Sequence, residues 1–166
     1  MRGHRARIII AALACLAGVL LGALGTSVLT AREPALQTGA SRRVIRPGKA
    51  PNTGLPFSPG IRIGNTLYVA GHLGRDPVSS KLVTGGIEAE TRQSLNNIRD
   101  VLRTAGMDLK DVASVTVYIT NFADFARFNA VYREYFPTDP PARATVQVAA
   151  LNDGAVVELQ MIAVVP

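Results

Sequence analysis

From Leu55 onward the chain switches between two periods of apolar spacing, and the switches outline a folded domain. Ile61-Arg62-Ile63 and Leu67-Tyr68-Val69-Ala70, split by Gly64-Asn65, give the pattern of two strands joined by a tight turn. Over residues 86–105 the period lengthens: Leu95, Ile98, Leu102 and Ala105 recur every three or four positions, as on one face of a helix. Gly106 stands where a left-handed residue would end that helix. Residues 112–120 return to period two, with Val115, Val117 and Ile119 set toward a core and Thr116, Tyr118 and Thr120 away from it. Asn121, with Asp124 three positions on, reads as a helix N-cap. Phe125, Phe128, Tyr132 and Tyr135 repeat the helical spacing until Pro137 and Pro140-Pro141 stop it. Two further strands, residues 142–150 and 155–165, flank Leu151-Asn152-Asp153-Gly154, which reads as a hairpin turn. The order ββαβαββ predicts an α+β fold of two layers, a mixed sheet with two helices on one face.

Ahead of this domain the texture differs. The leader MRGHRAR is followed by 24 residues without a charge, residues 8–31. At about 1.5 Å per residue a helix of that length crosses a bilayer's hydrocarbon core. The basic flank suits a signal-peptide n-region or the inner end of an anchor. Residues 1–31 are therefore expected to be a signal peptide or membrane anchor, with export or membrane anchorage as the consequence. Cys15, the one cysteine, lies within the apolar run and reads as an apolar residue, so neither a disulfide framework within the chain nor a Cys-based zinc site is available. Residues 32–53 are polar, basic and Pro/Gly-bearing, and read as a flexible basic linker. Residues 54–166 form the domain.

The net charge of +6 first suggests a nucleic-acid partner, but its distribution removes that reading. Residues 1–25 carry +3 and residues 26–50 carry +4, whereas residues 51–166, with 10 basic and 11 acidic side chains, carry −1. The domain offers no basic platform, and no nucleic acid is expected as its partner.

Several chemistries lack their parts. The sequence has no Walker-type phosphate loop, no G-x-G-x-x-G after a strand and no G-x-S-x-G elbow. His72, in Ala-Gly-His-Leu-Gly, is the domain's one histidine, so a metal site is not expected and triad chemistry is out of reach. What remains is the polar face of the last two strands. Arg143, Thr145 and Gln147 alternate with Ala142, Ala144, Val146 and Val148. A hairpin centred near Asn152-Asp153 would bring Glu158 within a residue or two of Thr145, so Arg143, Thr145, Gln147, Glu158 and Gln160 are expected to share one face. An arginine there can hold a carboxylate bidentately, and a nearby glutamate can serve water as acid or base. A plain Arg–Glu cross-strand pair on a solvated face is the alternative.

Three co-linear segments carry a resemblance: GLPFSPGIRIGNTLYVAGHLGRDP, GGIEAETRQSLNNIRDVLRTAGMDLKDV and VTVYITNFADFARFNAVYREYFPTDPPARATVQVAAL. Together they resemble the Rid (YjgF-like) enamine/imine deaminases over residues 54–164. The resemblance implies a chorismate-mutase-like fold, a homotrimer with sites between subunits, and no cofactor. It implies hydrolysis of 2-imino acids such as 2-iminopropanoate and 2-iminobutanoate, with their enamine tautomers, to 2-oxo acids and ammonia. Arg143 matches the arginine that grips the substrate carboxylate, and Glu158 the glutamate that positions or activates water. Gly71 and Thr145 match positions that line the substrate, and Asn129 an asparagine read as structural. Phe57 falls at a substrate-lining position that often bears an aromatic hydroxyl, and His72 replaces a glutamine. A cytoplasmic location, usual for the family, is the alternative to export, and a non-catalytic trimeric binding or interaction module of the cell envelope is the alternative function.

Overall fold

The computed structural model describes residues 40–48 and 54–166. Contacts divide the chain into Met1–Thr38 and Gly39–Pro166, and all described residues fall in the second unit. The apolar run on which the leader and anchor reading rests lies outside the described residues. Among the described residues no helix is long and apolar enough to cross a membrane.

Among the described residues there are six strands and two α-helices: β1 (Arg42–Ile45), β2 (Gly60–Ile63), β3 (Thr66–Leu73), α1 (Gly86–Thr104), β4 (Val112–Ile119), α2 (Phe125–Tyr135), β5 (Ala142–Gln147) and β6 (Val157–Val164). They form one mixed sheet in the order β1-β2-β3-β6-β4-β5. Only β4 and β5 run parallel. Both helices lie on one face, as the apolar pattern predicts. Leu95, Ile98, Leu102 and Ala105 of α1 and Phe128 and Tyr132 of α2 pack against Leu67, Val69, Val115, Val117, Ile119, Val157, Leu159 and Met161 of the sheet. Gly106 ends α1 as expected. Its φ is +77°, and the amides of Gly106 and Met107 return to the carbonyls of Arg103 and Leu102, the two bonds of a Schellman motif. Asn121 caps a short 3-10 turn, Phe122–Asp124, that leads into α2.

Three expectations are corrected. First, part of the stretch read as linker is structured. Arg42–Ile45 pairs with β2 as an edge strand, because Ile45 reaches the core. Second, β5 and β6 are not a hairpin. β4 lies between them, parallel to β5 and antiparallel to β6. The cause is burial: β6 hides Val157, Leu159, Met161 and Ala163 and takes the centre of the sheet, whereas β5, with little apolar bulk, takes the edge. A parallel neighbour needs a crossover, and α2 supplies it. Third, the two faces of β5 are exchanged. Arg143 and Thr145 pair with Val115 and Val117, which face the core, so they lie on the helix-covered side. Ala142, Ala144 and Val146 lie on the other side with Ser114, Thr116 and Tyr118.

That other side carries no covering layer among the described residues. Tyr68, Val146 and Val164 are 49%, 42% and 40% exposed there. Ile162, partly buried, joins them by pairing with Tyr68.

Candidate active site

Glu158 and Gly71 come together on the open face. Between the pairs Val69↔Met161 and His72↔Leu159, β3 advances three residues while β6 advances two. This bulge turns Gly71 toward Glu158. A methyl group on Gly71 would lie 1.8 Å from Glu158 Oε1, so the carboxylate occupies the space that only a glycine leaves. Partial burial raises the Glu158 carboxyl above the usual carboxylate range. No ion pair engages Glu158 among the described residues, so nothing there offsets that burial.

The backbone around this carboxylate is held from α1. Ser94 Oγ donates to the His72 carbonyl (2.7 Å), and Asn97 Nδ2 donates to the carbonyls of Leu73 (3.2 Å) and Arg75 (2.8 Å). Glu90, almost fully buried, accepts the Val156 N–H at 2.9 Å, two residues before Glu158. Burial raises the Glu90 carboxyl too, against the lowering effect of the Val156 and Val157 amides. His72 faces the core. Burial lowers its pKa to about 4, opposed by a hydrogen bond to the Pro59 carbonyl, so the ring is neutral at physiological pH. Its Nε2 is shielded and has no hydrogen-bond partner among the described residues.

Arg143 lies on the opposite face, at the sheet edge. Its guanidinium carbon sits 4.5 Å from the ring centroid of Tyr132, 5.3 Å from that of Phe128 and 5.8 Å from that of Phe125. Arg143 Nη2 donates to Asn129 Oδ1 at 2.8 Å. Four residues of one α2 stripe therefore seat the cation. No ion pair engages Arg143 among the described residues, which leaves its charge for an anion from outside. Thr145 follows on the same face of β5.

The sequence-derived set thus divides in two. Gly71 and Glu158 form one group, and Arg143, Thr145 and Asn129 the other. Glu158 and Arg143 are not on one face: Tyr118 of β4 pairs with both Glu158 and Val146, and Arg143 points to the other side of the sheet. The expected shared face, and the cross-strand Arg–Glu pair that was its alternative, are both corrected. Phe57, 54% exposed, lies two residues before Pro59, whose carbonyl accepts the Ala70 N–H beside the bulge. The sequence reading missed the seat of Arg143. The 125, 128, 129, 132 spacing was its signal, but the three rings read simply as core. Among the described residues no group of three or more His, Cys, Asp or Glu side chains converges to hold a metal ion.

The profile of the family described as Endoribonuclease L-PSP matches residues 47–165. The chain belongs to that family. It is 44% identical over 123 residues to the 2-iminobutanoate/2-iminopropanoate deaminase of Capra hircus, covering 74% of this chain and 90% of the goat protein. The Homo sapiens protein of the same name is 40% identical over 123 residues, with the same shares covered. Among solved structures, RidA from an Antarctic Psychrobacter is 38% identical with a TM-score of 0.70, over 74% of this chain and 99% of RidA. The Rid resemblance and the fold expected from it are confirmed.

Proposed function

We propose that the protein is a hydrolase that converts 2-imino and 2-enamine acids, such as 2-iminopropanoate and 2-iminobutanoate, to 2-oxo acids and ammonia. The observation that carries the reading is Arg143: a half-buried cation on an aromatic shelf, in no ion pair among the described residues. Such a guanidinium suits a substrate carboxylate. The deaminase relatives, similar over most of their length, support the same chemistry. Water adds to the carbon of the protonated C=N bond and gives one proton to Glu158, leaving a neutral carbinolamine. Glu158 returns that proton to the nitrogen, and the C–N bond breaks as the hydroxyl proton passes to Glu158 and C=O forms. One water is consumed and one ammonia leaves, with no change of oxidation state. A carboxyl raised by burial suits these transfers. Gly71, Thr145 and Phe57 line the substrate in this reading.

Because Arg143 and Glu158 occupy opposite faces, one chain cannot supply both to one substrate. A second copy must bring its Glu158 and Gly71 to the first copy's Arg143, and the exposed apolar face with Tyr68, Val146 and Val164 favours association. We take the assembly to be the homotrimer that the family resemblance implies.

The test follows loss of 2-iminopropanoate generated in situ. The wild-type protein is expected to accelerate it, and Arg143→Ala to lower kcat/KM by about 10²-fold or more. Rates equal to buffer for both would refute the reading, and carboxylate binding without turnover would favour the non-catalytic module. The uncharged run over residues 8–31 further supports export or membrane anchorage. Fractionation of the host should find the protein in the membrane, or outside the cytoplasm with the run removed. A full-length chain in the soluble cytoplasmic fraction would contradict this.

A further inference from the structure

Asn129 stands on α2 with Phe125 four residues before it and Tyr132 three after, so all three side chains meet the same partner. That partner is Arg143. The three rings attract the guanidinium toward the helix but do not fix its rotation in its own plane, since a ring face has no directional acceptor. Among the described residues the one directional contact is Asn129 Oδ1, which receives Nη2 at 2.8 Å. A guanidinium has five N–H donors in a rigid fork, so occupying one end sets the direction of the free edge. The amide does this without neutralising the cation. We infer that Asn129 is a positioning residue for substrate binding: it locks the Arg143 fork on its aromatic shelf with the remaining N–H edge turned to the substrate carboxylate.

The inference rests on the proposed role of Arg143, and it separates from a merely structural role through one substitution. Asn129→Asp keeps the shape and the acceptor, so a structural asparagine would tolerate it best. A positioning asparagine would not, because the new carboxylate forms an internal ion pair with Arg143 and competes with the substrate. Asn129→Ala should raise KM for 2-iminopropanoate about tenfold by loosening the fork. Asn129→Asp should raise it about 10²-fold, with kcat and Tm near wild type in both. Calorimetry with pyruvate, a 2-oxo acid product, on the same three proteins separates this inference from the deaminase reading. If turnover is absent but pyruvate binding weakens in the order wild type, Ala, Asp, the deaminase reading fails and the positioning role stands. If the wild-type protein does not bind pyruvate, if Asp binds it as well as wild type, or if Ala and Asp change kcat alone, the positioning role is overturned.

Discussion

Whether β3 carries a hydrogen or a methyl group at position 71 decides how closely Glu158 can approach it. Alanine there would displace the end of a side chain rather than a packed backbone, because the colliding atom is Glu158 Oε1. Gly71→Ala should therefore leave Tm close to wild type while lowering kcat by on the order of 10²-fold, the usual result of shifting a reacting group by about an ångström. Steady-state kinetics and a melting curve on one sample check both halves. If Tm collapses, the glycine serves packing instead. The residue types at this site were legible in the sequence; their partners were not. Arg143, Glu158 and Gly71 stood out by motif. Nothing in the alternation of β5 revealed that Arg143 would prefer the helix side, because three aromatic rings on another element outweigh the small apolar gain from burying Ala142 and Ala144.

The elements were read more securely where apolar spacing was long and regular. Both helices, β4 and the β2–β3 hairpin form as the pattern predicts, with the Gly106 stop in place. The edge strand β1 is too short for a period, and the β5–β6 hairpin failed because adjacency in sequence suggested pairing that the crossover through α2 overrides. α1 contributes more than its apolar face. Through Ser94, Asn97 and Glu90 it pins the ends of β3 and β6 that hold the Gly71–Glu158 pair. Glu90 does so as a buried carboxyl, raised by desolvation. A raised value means that the folded state favours the protonated form. The stabilising contribution is thus complete below the unfolded-state pKa, and it is lost as pH rises through the folded-state value. Glu90→Gln keeps an acceptor for the Val156 amide and removes the charge. Its Tm should exceed wild type at pH 8, and the gap should close as pH falls into the carboxylate range. A gap independent of pH would show that Glu90 is not ionised at a cost in the fold.

For the whole molecule, charge and topology lead to one conclusion. Residues 51–166 carry a net charge of −1, which turns attention from the family's endoribonuclease description to small-molecule chemistry. The sheet separates the two groups that the proposed chemistry would use, and in that proposal the uncovered apolar face brings a second copy to the first. The central claim is that the site is shared: Arg143 from one copy acts with Glu158 from another. Mixing two inactive proteins tests it directly. Arg143→Ala and Glu158→Gln are each expected to hydrolyse 2-iminopropanoate poorly alone. After dissociation and joint reassembly at equal amounts, random pairing restores about a quarter of the sites, so about a quarter of wild-type activity should return. If the mixture stays as inactive as its components while mixed oligomers demonstrably form, Arg143 and Glu158 do not act across subunits and the account is contradicted.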